Sequence, residues 1–100
     1  MAGPNTDKLI EVLDELVLLL RDLDHHHWSQ WMAESARRLR RDDFSGITHL
    51  RSAYGGMGSF DDILPLLADS PGQAEAERAR ALRAAAWDLA EAIRRDVRSG

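Results

Sequence analysis

The sequence predicts an all-α protein: a compact bundle of about four main helices, with a short additional helix after a glycine-rich loop. Two observations favour this fold class. Apolar residues recur at intervals of three and four along most of the chain, which places them on one face of a helix. No segment alternates convincingly at a period of two, as a half-buried strand would. We therefore expect one helical domain over residues 1–100, with a flexible N-terminus over residues 1–5.

Composition narrows the classes of function. The chain has 100 residues, of which 44% are hydrophobic, so it supports one core and leaves no room for a second. A formal net charge of -4 argues against general binding to nucleic-acid backbones or anionic membranes. The absence of cysteine excludes disulfides, thiolate zinc sites and thiol nucleophiles. We expect a soluble cytoplasmic protein, and its richness in arginine and alanine favours a bacterial source.

The first helix is expected to be the central one. It begins near Pro4, where Asn5 or Thr6 supplies a capping side chain and Asp7 an acid in the first turn. Its main stripe follows helical spacing and consists of Leu9, Leu13, Leu16 and Leu20. Further apolar residues extend around much of the helix: Ile10, Val12, Val17, Leu18, Leu19 and Leu23.

Two more helices follow a connection at residues 24–27. The second helix is predicted to bury Trp28, Met32, Ser35 and Leu39, with Trp31 beside them. It ends in "ARRLRRDD", where cations suit the negative end of the helix dipole and both aspartates start the next segment. Asp43 is the predicted N-cap of a short third helix. That helix points Ile47, Leu50 and Tyr54 inward.

The last helix has the clearest start signal in the chain. Ser70 is the predicted N-cap and Pro71 the first helical residue, and the helix should run to about Arg98. Its predicted buried stripe is Leu82, Ala86, Leu89 and Ile93, with Val97 as its extension towards the C-terminus. Its alanines should allow close packing against a neighbouring helix.

The glycine loop, "AYGGMGSFDDI", allows two interpretations. In the architectural one, it is a structural turn in which glycines supply unusual backbone angles, Met57 and Phe60 anchor it, and Ser59 caps the next helix. The loop residues in that interpretation are Gly55, Gly56, Met57, Gly58, Ser59 and Phe60. In the functional one, Asp61 and Asp62 form a contact surface for a basic partner. A phosphate site is disfavoured because these acids stand where the anion would bind.

Trp87 on the last helix is a candidate contact residue. If Leu89 defines the buried stripe, Trp87 points almost to the opposite side, with Arg83 and Arg94 nearby. Three accounts remain open: arginine stacking on an exposed indole, a protein contact, or burial in a dimer. The candidate partner-binding residues are therefore Asp61, Asp62, Trp87, Arg83 and Arg94.

The histidine run His25–His27 suggests metal binding at first sight. Consecutive helical residues point about 100° apart, so three adjacent histidines cannot converge on one ion. We therefore expect no metal site, no catalytic residue and no cofactor. The alternative is a small metal- or ligand-dependent enzyme that uses these histidines with nearby acids.

A family resemblance rests on two short motifs. The segment with Trp28, Trp31 and Met32, followed by "YGGMGSFDDI", resembles an uncharacterised family of small bacterial helical domains with a W..WL segment and a GGMGSFND-type loop. The resemblance covers roughly residues 7–67, and Asp61 stands where that family has asparagine. It carries no established activity. It implies a small stand-alone protein of the immunity or accessory kind found beside toxins.

Together these observations favour a non-catalytic protein-binding module, immunity-like or an accessory regulator. Its acidic balance would suit a basic protein partner, with electrostatics contributing mainly to rate and specificity. Besides the enzyme alternative, a structural homodimer that uses Trp87 at its interface remains open. We expect no nucleic-acid and no membrane partner.

Overall fold

The structure, a computed structural model, describes residues 3–54 and 73–99. These residues form four helices: α1 Pro4–Asp22, α2 His26–Arg40, α3 Ser45–Arg51 and α4 Gln73–Ser99. No strand occurs among the described residues, which confirms the all-α bundle. The glycine loop, the short helix expected after it and the Ser70–Pro71 start signal lie outside the described residues.

Helix α1 is the central helix, as expected, because α2 and α4 both pack against it. Its stripe of Leu9, Leu13, Leu16 and Leu20 is completely buried. Leu18, one of the further apolar residues of this helix, has half of its surface exposed. With 3.6 residues per turn, Leu18 lies nearly opposite Leu16 and Leu20.

The start of α1 differs in detail from the expectation. Gly3 occupies the N-cap and no side chain caps the helix, so the predicted capping by Asn5 or Thr6 is wrong. Proline holds the first helical position, where its missing N–H costs nothing. Thr6 is instead buried against the bundle, and Asp7 supplies the expected first-turn acid. The helix includes Pro4 and Asn5, two of the five residues predicted as a flexible N-terminus.

Helix α3 crosses α2 at very short range. A methyl group added at Gly46 would lie 2.8 Å from the backbone oxygen of Ser35 and 3.1 Å from Leu39 Cγ, so only glycine fits here without displacement. The prediction of Asp43 as the N-cap residue is wrong by one position, and no side chain caps α3. Phe44 occupies the N-cap position, and Oδ1 of Asp43 accepts the backbone N–H of Ser45 at 3.0 Å. Met32, Ser35 and Leu39 are buried as predicted, whereas Trp28 is only partly buried.

The first two helices end in the same way, with an aspartate in the left-handed backbone conformation. At the end of α1, Asp24 has a φ of 64°, and the N–H of His25 reaches back to the carbonyl of Leu20 at 2.8 Å. At the end of α2, Asp42 has a φ of 58°, with a matching bond from Asp43. This is the Schellman arrangement, in which glycine is the usual residue. Asp42 therefore closes α2 rather than starting the next segment.

Replacing Asp24 with glycine is expected to stabilise the protein by a few tenths to about 1 kcal/mol, because glycine adopts positive φ without steric cost. The contact of Asp24 with His26, at 3.6 Å between exposed side chains, is a small loss. Urea denaturation of Asp24→Gly beside wild type measures the change. Asp22→Gly is the control: Asp22 is the last residue of α1 itself, where glycine should not stabilise. Equal effects at the two positions would contradict this account.

Helix α4 is built around small residues. Its buried stripe is Ala79, Leu82, Ala86, Ala90 and Ile93. Leu89 is only partly buried, so the predicted stripe is wrong at that position. The fully buried alanines lie on the face that carries the contacts of α4 with the rest of the bundle, and their small size permits the close packing that the sequence suggested.

Candidate functional site

Six polar and aromatic side chains gather where α4 faces α3 and the residues that follow it. They come from Arg51 at the end of α3, from Tyr54, and from one side of α4. We call this group the Trp87 cluster: Arg51, Tyr54, Arg83, Trp87, Glu91 and Arg94. Three of the five predicted contact residues, Trp87, Arg83 and Arg94, therefore lie in this cluster.

The two rings of the Trp87 cluster lie against each other and against cations. The ring centroids of Tyr54 and Trp87 are 5.0 Å apart. The guanidinium carbon of Arg51 lies 5.2 Å from the centre of the indole, and that of Arg83 lies 5.6 Å from the centre of the phenol. The hydroxyl of Tyr54 donates a hydrogen bond of 2.8 Å to the backbone carbonyl of Arg83. These contacts restrain both aromatic rings.

One carboxylate oxygen serves two arginines in the same cluster. Oε1 of Glu91 lies 2.9 Å from Nε of Arg51 and 3.2 Å from Nη1 of Arg94. The N–H of Arg51 is not directed at that oxygen, so this buried nitrogen has an ion-pair contact but no well-aligned hydrogen bond. About a third of each of the three side chains is exposed: 32% for Arg51 and Glu91, and 34% for Arg94.

The predicted orientation of Trp87 is wrong. The buried stripe of α4 runs through Ala86 and Ala90, and Ala90 is the i+3 neighbour of Trp87 on the helix surface. Trp87 therefore lies beside the stripe and faces Arg51 and Tyr54 rather than pointing away from the bundle. A cation over its indole is Arg51, which the sequence did not indicate.

A second cluster joins α2 to α3 and contains one of the tryptophans of the family motif. The indole N–H of Trp31 donates to the backbone carbonyl of His49 at 2.8 Å, and the two rings stack at 4.2 Å. Oγ of Ser35 lies 2.8 Å from Nδ1 of His49 and donates to the carbonyl of Trp31 at 3.2 Å. We call Trp31, Ser35 and His49 the Trp31 junction.

A serine beside a histidine also suggests nucleophilic catalysis, and the burial of Ser35 decides against it here. None of the surface of Ser35 is exposed, so its hydroxyl has no path to a substrate. Its hydrogen bonds run to the backbone of its own helix and to α3. The serine–histidine contact thus holds α2 and α3 together.

Burial lowers the pKa of His49, and the nearby charge of Arg38 lowers it further, while Glu34 opposes these effects. The unfolded chain therefore takes up the His49 proton at higher pH than the folded protein does. The stabilising contribution of neutral His49 is fully present above its unfolded pKa and is lost as pH falls below it.

We expect wild type to lose more stability between about pH 7.5 and pH 5.5 than His49→Gln does, because only wild type carries this titration. Urea denaturation of both proteins at the two pH values provides the measurement. Carboxylates whose pKa is lowered in the folded protein, such as Glu34, stay ionised over this range. Parallel losses in the two proteins would show that His49 does not govern acid sensitivity in this range.

The three consecutive histidines have different surroundings. His25 occupies the N-cap of α2, His26 lies 3.6 Å from Asp24, and the ring of His27 packs edge-on against Trp28 at 4.7 Å. Within residues 3–54 and 73–99, no three histidine, aspartate or glutamate side chains are grouped closely enough to hold a metal ion.

The basic end of α2 is largely neutralised within the chain. The carboxylate of Glu34 accepts hydrogen bonds from Arg37 and Arg38, which lower its pKa to about 2. Arg40 pairs with Asp14 of α1. This run of arginines therefore forms internal ion pairs, and it does not resemble an open phosphate-binding patch.

The remaining predicted site residues, Asp61 and Asp62, lie outside the described residues, as do Gly55, Gly56, Met57, Gly58, Ser59 and Phe60. Their roles stay predictions from the sequence. A search for membrane spans among the described helices finds none that is both long and apolar enough to cross a bilayer.

Part of the chain matches the model of a known protein family. Residues 21–67 match the model of a family described as a domain of unknown function (DUF6966). This confirms the resemblance to an uncharacterised family of small helical domains. The match ends where the resemblance was expected to end, but it begins at Arg21 rather than near residue 7. No curated protein and no solved structure gives a significant match to the chain.

Proposed function

We propose that this chain is a non-catalytic protein-binding module and that the Trp87 cluster forms its contact surface. The finer description is a small cytoplasmic bacterial protein, immunity-like or an accessory regulator. The observation that carries the proposal is a partly exposed tryptophan restrained by a tyrosine and an arginine from outside its own helix.

The residue types support this role. Tryptophan, tyrosine and arginine are the residues most enriched at the energetic centres of protein interfaces. In the Trp87 cluster their side chains are already ordered by ring contacts and by the hydrogen bond from Tyr54 to Arg83. A partner that binds there has little side-chain entropy left to remove, which favours affinity.

A non-catalytic role is supported by the burial of Ser35, which is the nucleophile in the serine–histidine contact described above. Ser35 is inaccessible, and the neighbouring groups of the Trp31 junction are used between helices. Asp61 and Asp62 remain a second candidate contact, predicted from the sequence and suited to a basic partner. The homodimer alternative loses its original argument, because contacts within the chain account for the packing of Trp87.

The test is affinity capture from a bacterial lysate with four proteins: wild type, Arg94→Glu, Arg95→Glu and the double variant Asp61→Ala/Asp62→Ala. Arg95 is the matched control, because it carries the same charge on the same helix but lies outside the Trp87 cluster. We expect a stoichiometric partner with wild type and Arg95→Glu, and a reduced amount with Arg94→Glu.

The other outcomes are also informative. Loss of the partner only in the Asp61/Asp62 variant would move the contact surface to the glycine loop. Equal loss in Arg94→Glu and Arg95→Glu would indicate nonspecific charge attraction. Absence of any partner, together with self-association in sedimentation, would replace this proposal with the homodimer.

A further inference from the structure

We infer that the Trp31 junction is a proton-sensitive attachment point for α3: protonation of His49 loosens α3 from α2 and thereby withdraws Arg51 from Trp87. The Trp31 junction joins α3 to α2, and the Trp87 cluster joins α3 to α4, so a change at the first reaches the second through one short helix. As a control on partner binding this inference rests on the proposed function, whereas the loosening of α3 itself does not.

Helix α3 depends on its neighbours for its stability. It has seven residues, and a helix of that length is not stable in water by itself. It packs mainly against α2 and more lightly against α4. The leucine stripe of α1 is fully buried, and α1 packs against both α2 and α4. These three helices therefore keep a core of their own when α3 opens.

His49 is the residue of α3 that the side chains of α2 hold. The indole N–H of Trp31 donates to the backbone carbonyl of His49 at 2.8 Å, and the indole stacks on the imidazole at 4.2 Å. Oγ of Ser35, a fully buried residue, lies 2.8 Å from Nδ1 of the same histidine. A change of charge on this imidazole therefore acts directly on the contact between the two helices.

Proton uptake changes the charge of this site without breaking its hydrogen bond. Nδ1 of the imidazolium can only donate. Oγ of Ser35 can accept that bond, because its own hydrogen has the carbonyl of Trp31 as an acceptor at 3.2 Å. What remains is a positive charge in a half-buried site, and burial disfavours a charge. Stacking on Trp31 acts in the opposite direction, since the face of an indole attracts a cation.

Within the described residues, the charged groups that act on His49 belong to α2. The positive charge of Arg38 adds to the effect of burial and lowers the pKa of His49, while the negative charge of Glu34 opposes both. Because the pKa is lowered in the packed site, the imidazole binds a proton more tightly when α3 is detached. A proton on His49 therefore favours detachment, and neutral His49 favours the packed state.

Arg51 transmits the change to the Trp87 cluster. It is the last residue of α3, two positions after His49. Its guanidinium carbon lies 5.2 Å from the centre of the Trp87 indole, and its Nε lies 2.9 Å from Oε1 of Glu91. Arg94 pairs with the same oxygen, so these charged groups of α4 engage each other and Arg51. Loosening of α3 therefore removes a cation from the indole and from Glu91 together.

The test measures amide hydrogen exchange at about pH 7.5 and about pH 5.5, expressed as protection factors so that the intrinsic pH dependence of exchange is removed. Ser52 and Ala53 report on α3, because their N–H groups donate to the carbonyls of Thr48 and Leu50. We expect less protection there than in the centre of α1 at both pH values, and a further fall of about two- to fivefold at the lower one. Relaxation dispersion of the Trp87 indole N–H signal should increase over the same range.

Four variants identify the group that takes up the proton. His49→Gln should abolish the fall in protection, whereas the matched control His27→Gln, which removes an exposed histidine, should leave it unchanged. Arg38→Gln should reduce the fall, because it removes a charge that opposes the proton. It also keeps His49 in place, so it remains informative if His49→Gln detaches α3 at every pH. Asp61→Ala/Asp62→Ala, which removes two charges outside the described residues, should leave the fall unchanged.

Several results would overturn the inference. Protection of α3 that stays constant or rises on acidification would mean that burial and Arg38 do not outweigh the stacking on Trp31. Equal protection of α3 and α1 would mean that α3 opens only when the whole bundle unfolds. A fall that persists in His49→Gln, or that disappears in Asp61→Ala/Asp62→Ala, would assign the pH dependence to other groups.

Failure of this inference can be told apart from failure of the proposed function, because hydrogen exchange needs no partner. Capture of a partner that requires Arg94, without an acid response of α3, would overturn the inference and leave the protein-binding role supported. Acid loosening of α3 without any captured partner would support the attachment through His49 and count against the protein-binding role.

Discussion

Leu16→Ala is expected to lower the free energy of unfolding by about 2–5 kcal/mol, whereas Leu18→Ala should change it by less than about 1 kcal/mol. The two residues belong to one run of five apolar residues, and only the structure separates them. Leu16 is fully buried at the centre of the bundle, where its removal leaves a cavity. Leu18 is 50% exposed, so its truncation removes little buried area.

Chemical denaturation of the two variants beside wild type measures both values. Helical content in the folded baseline should stay the same, because alanine is the better helix former at either position. A cost at Leu18 close to that at Leu16 would mean that the outer face of α1 is covered in solution. That result would direct the search for an interface to α1.

Gly46→Ala is the second large effect, with an expected loss of about 1–3 kcal/mol from overpacking. The added methyl group meets the backbone oxygen of Ser35 at 2.8 Å, and a backbone atom inside a helix cannot move aside at low cost. Helix α3 must shift instead, which disturbs the contact of Trp31 with His49. We therefore expect a change in tryptophan fluorescence together with the loss of stability.

Gly3→Ala provides the matched control, because nothing lies within 4 Å of a methyl group added there. Because Gly3 is the N-cap of α1, where alanine is less favourable than glycine, we expect a loss of up to about 1 kcal/mol without any steric clash. Should Gly46→Ala prove as stable as Gly3→Ala, the close crossing of α2 and α3 would be incorrect. Helix propensity alone predicts that Gly46→Ala stabilises the protein, whereas the steric clash predicts that it destabilises the protein. The sign of the measured change therefore decides between helix propensity and overpacking.

The periodicity of apolar residues was sufficient to predict much of this fold from the sequence. The spacing of Leu9, Leu13, Leu16 and Leu20 predicted the buried face of α1 correctly, because four large side chains at helical spacing leave one choice of face. It failed on α4, where it gave Leu89 more weight than the alanines. Alanines can be the most buried residues of a helix when a neighbouring helix packs closely against them. A hydrophobicity scale ranks alanine below leucine and therefore does not predict this burial.

The candidate site was harder to predict for a different reason. Arg83 and Arg94 were found from their helical spacing around Trp87. Tyr54 and Arg51 belong to another part of the chain, and no local rule places them beside Trp87. Their contact depends on how α3 and the residues after it pack beside α4, which is a property of the tertiary structure.

The central position of α1 means that the part of the chain that matches the family model does not contain its own core. The segment that matches the family model begins at Arg21, one residue before the last residue of α1, and stops at residue 67. Yet the four leucines that fill the core lie upstream of it. The shared segment alone would expose the buried face of α2 to water. We therefore expect this segment to fold stably only with an apolar helix packed against the buried face of α2, as α1 does here.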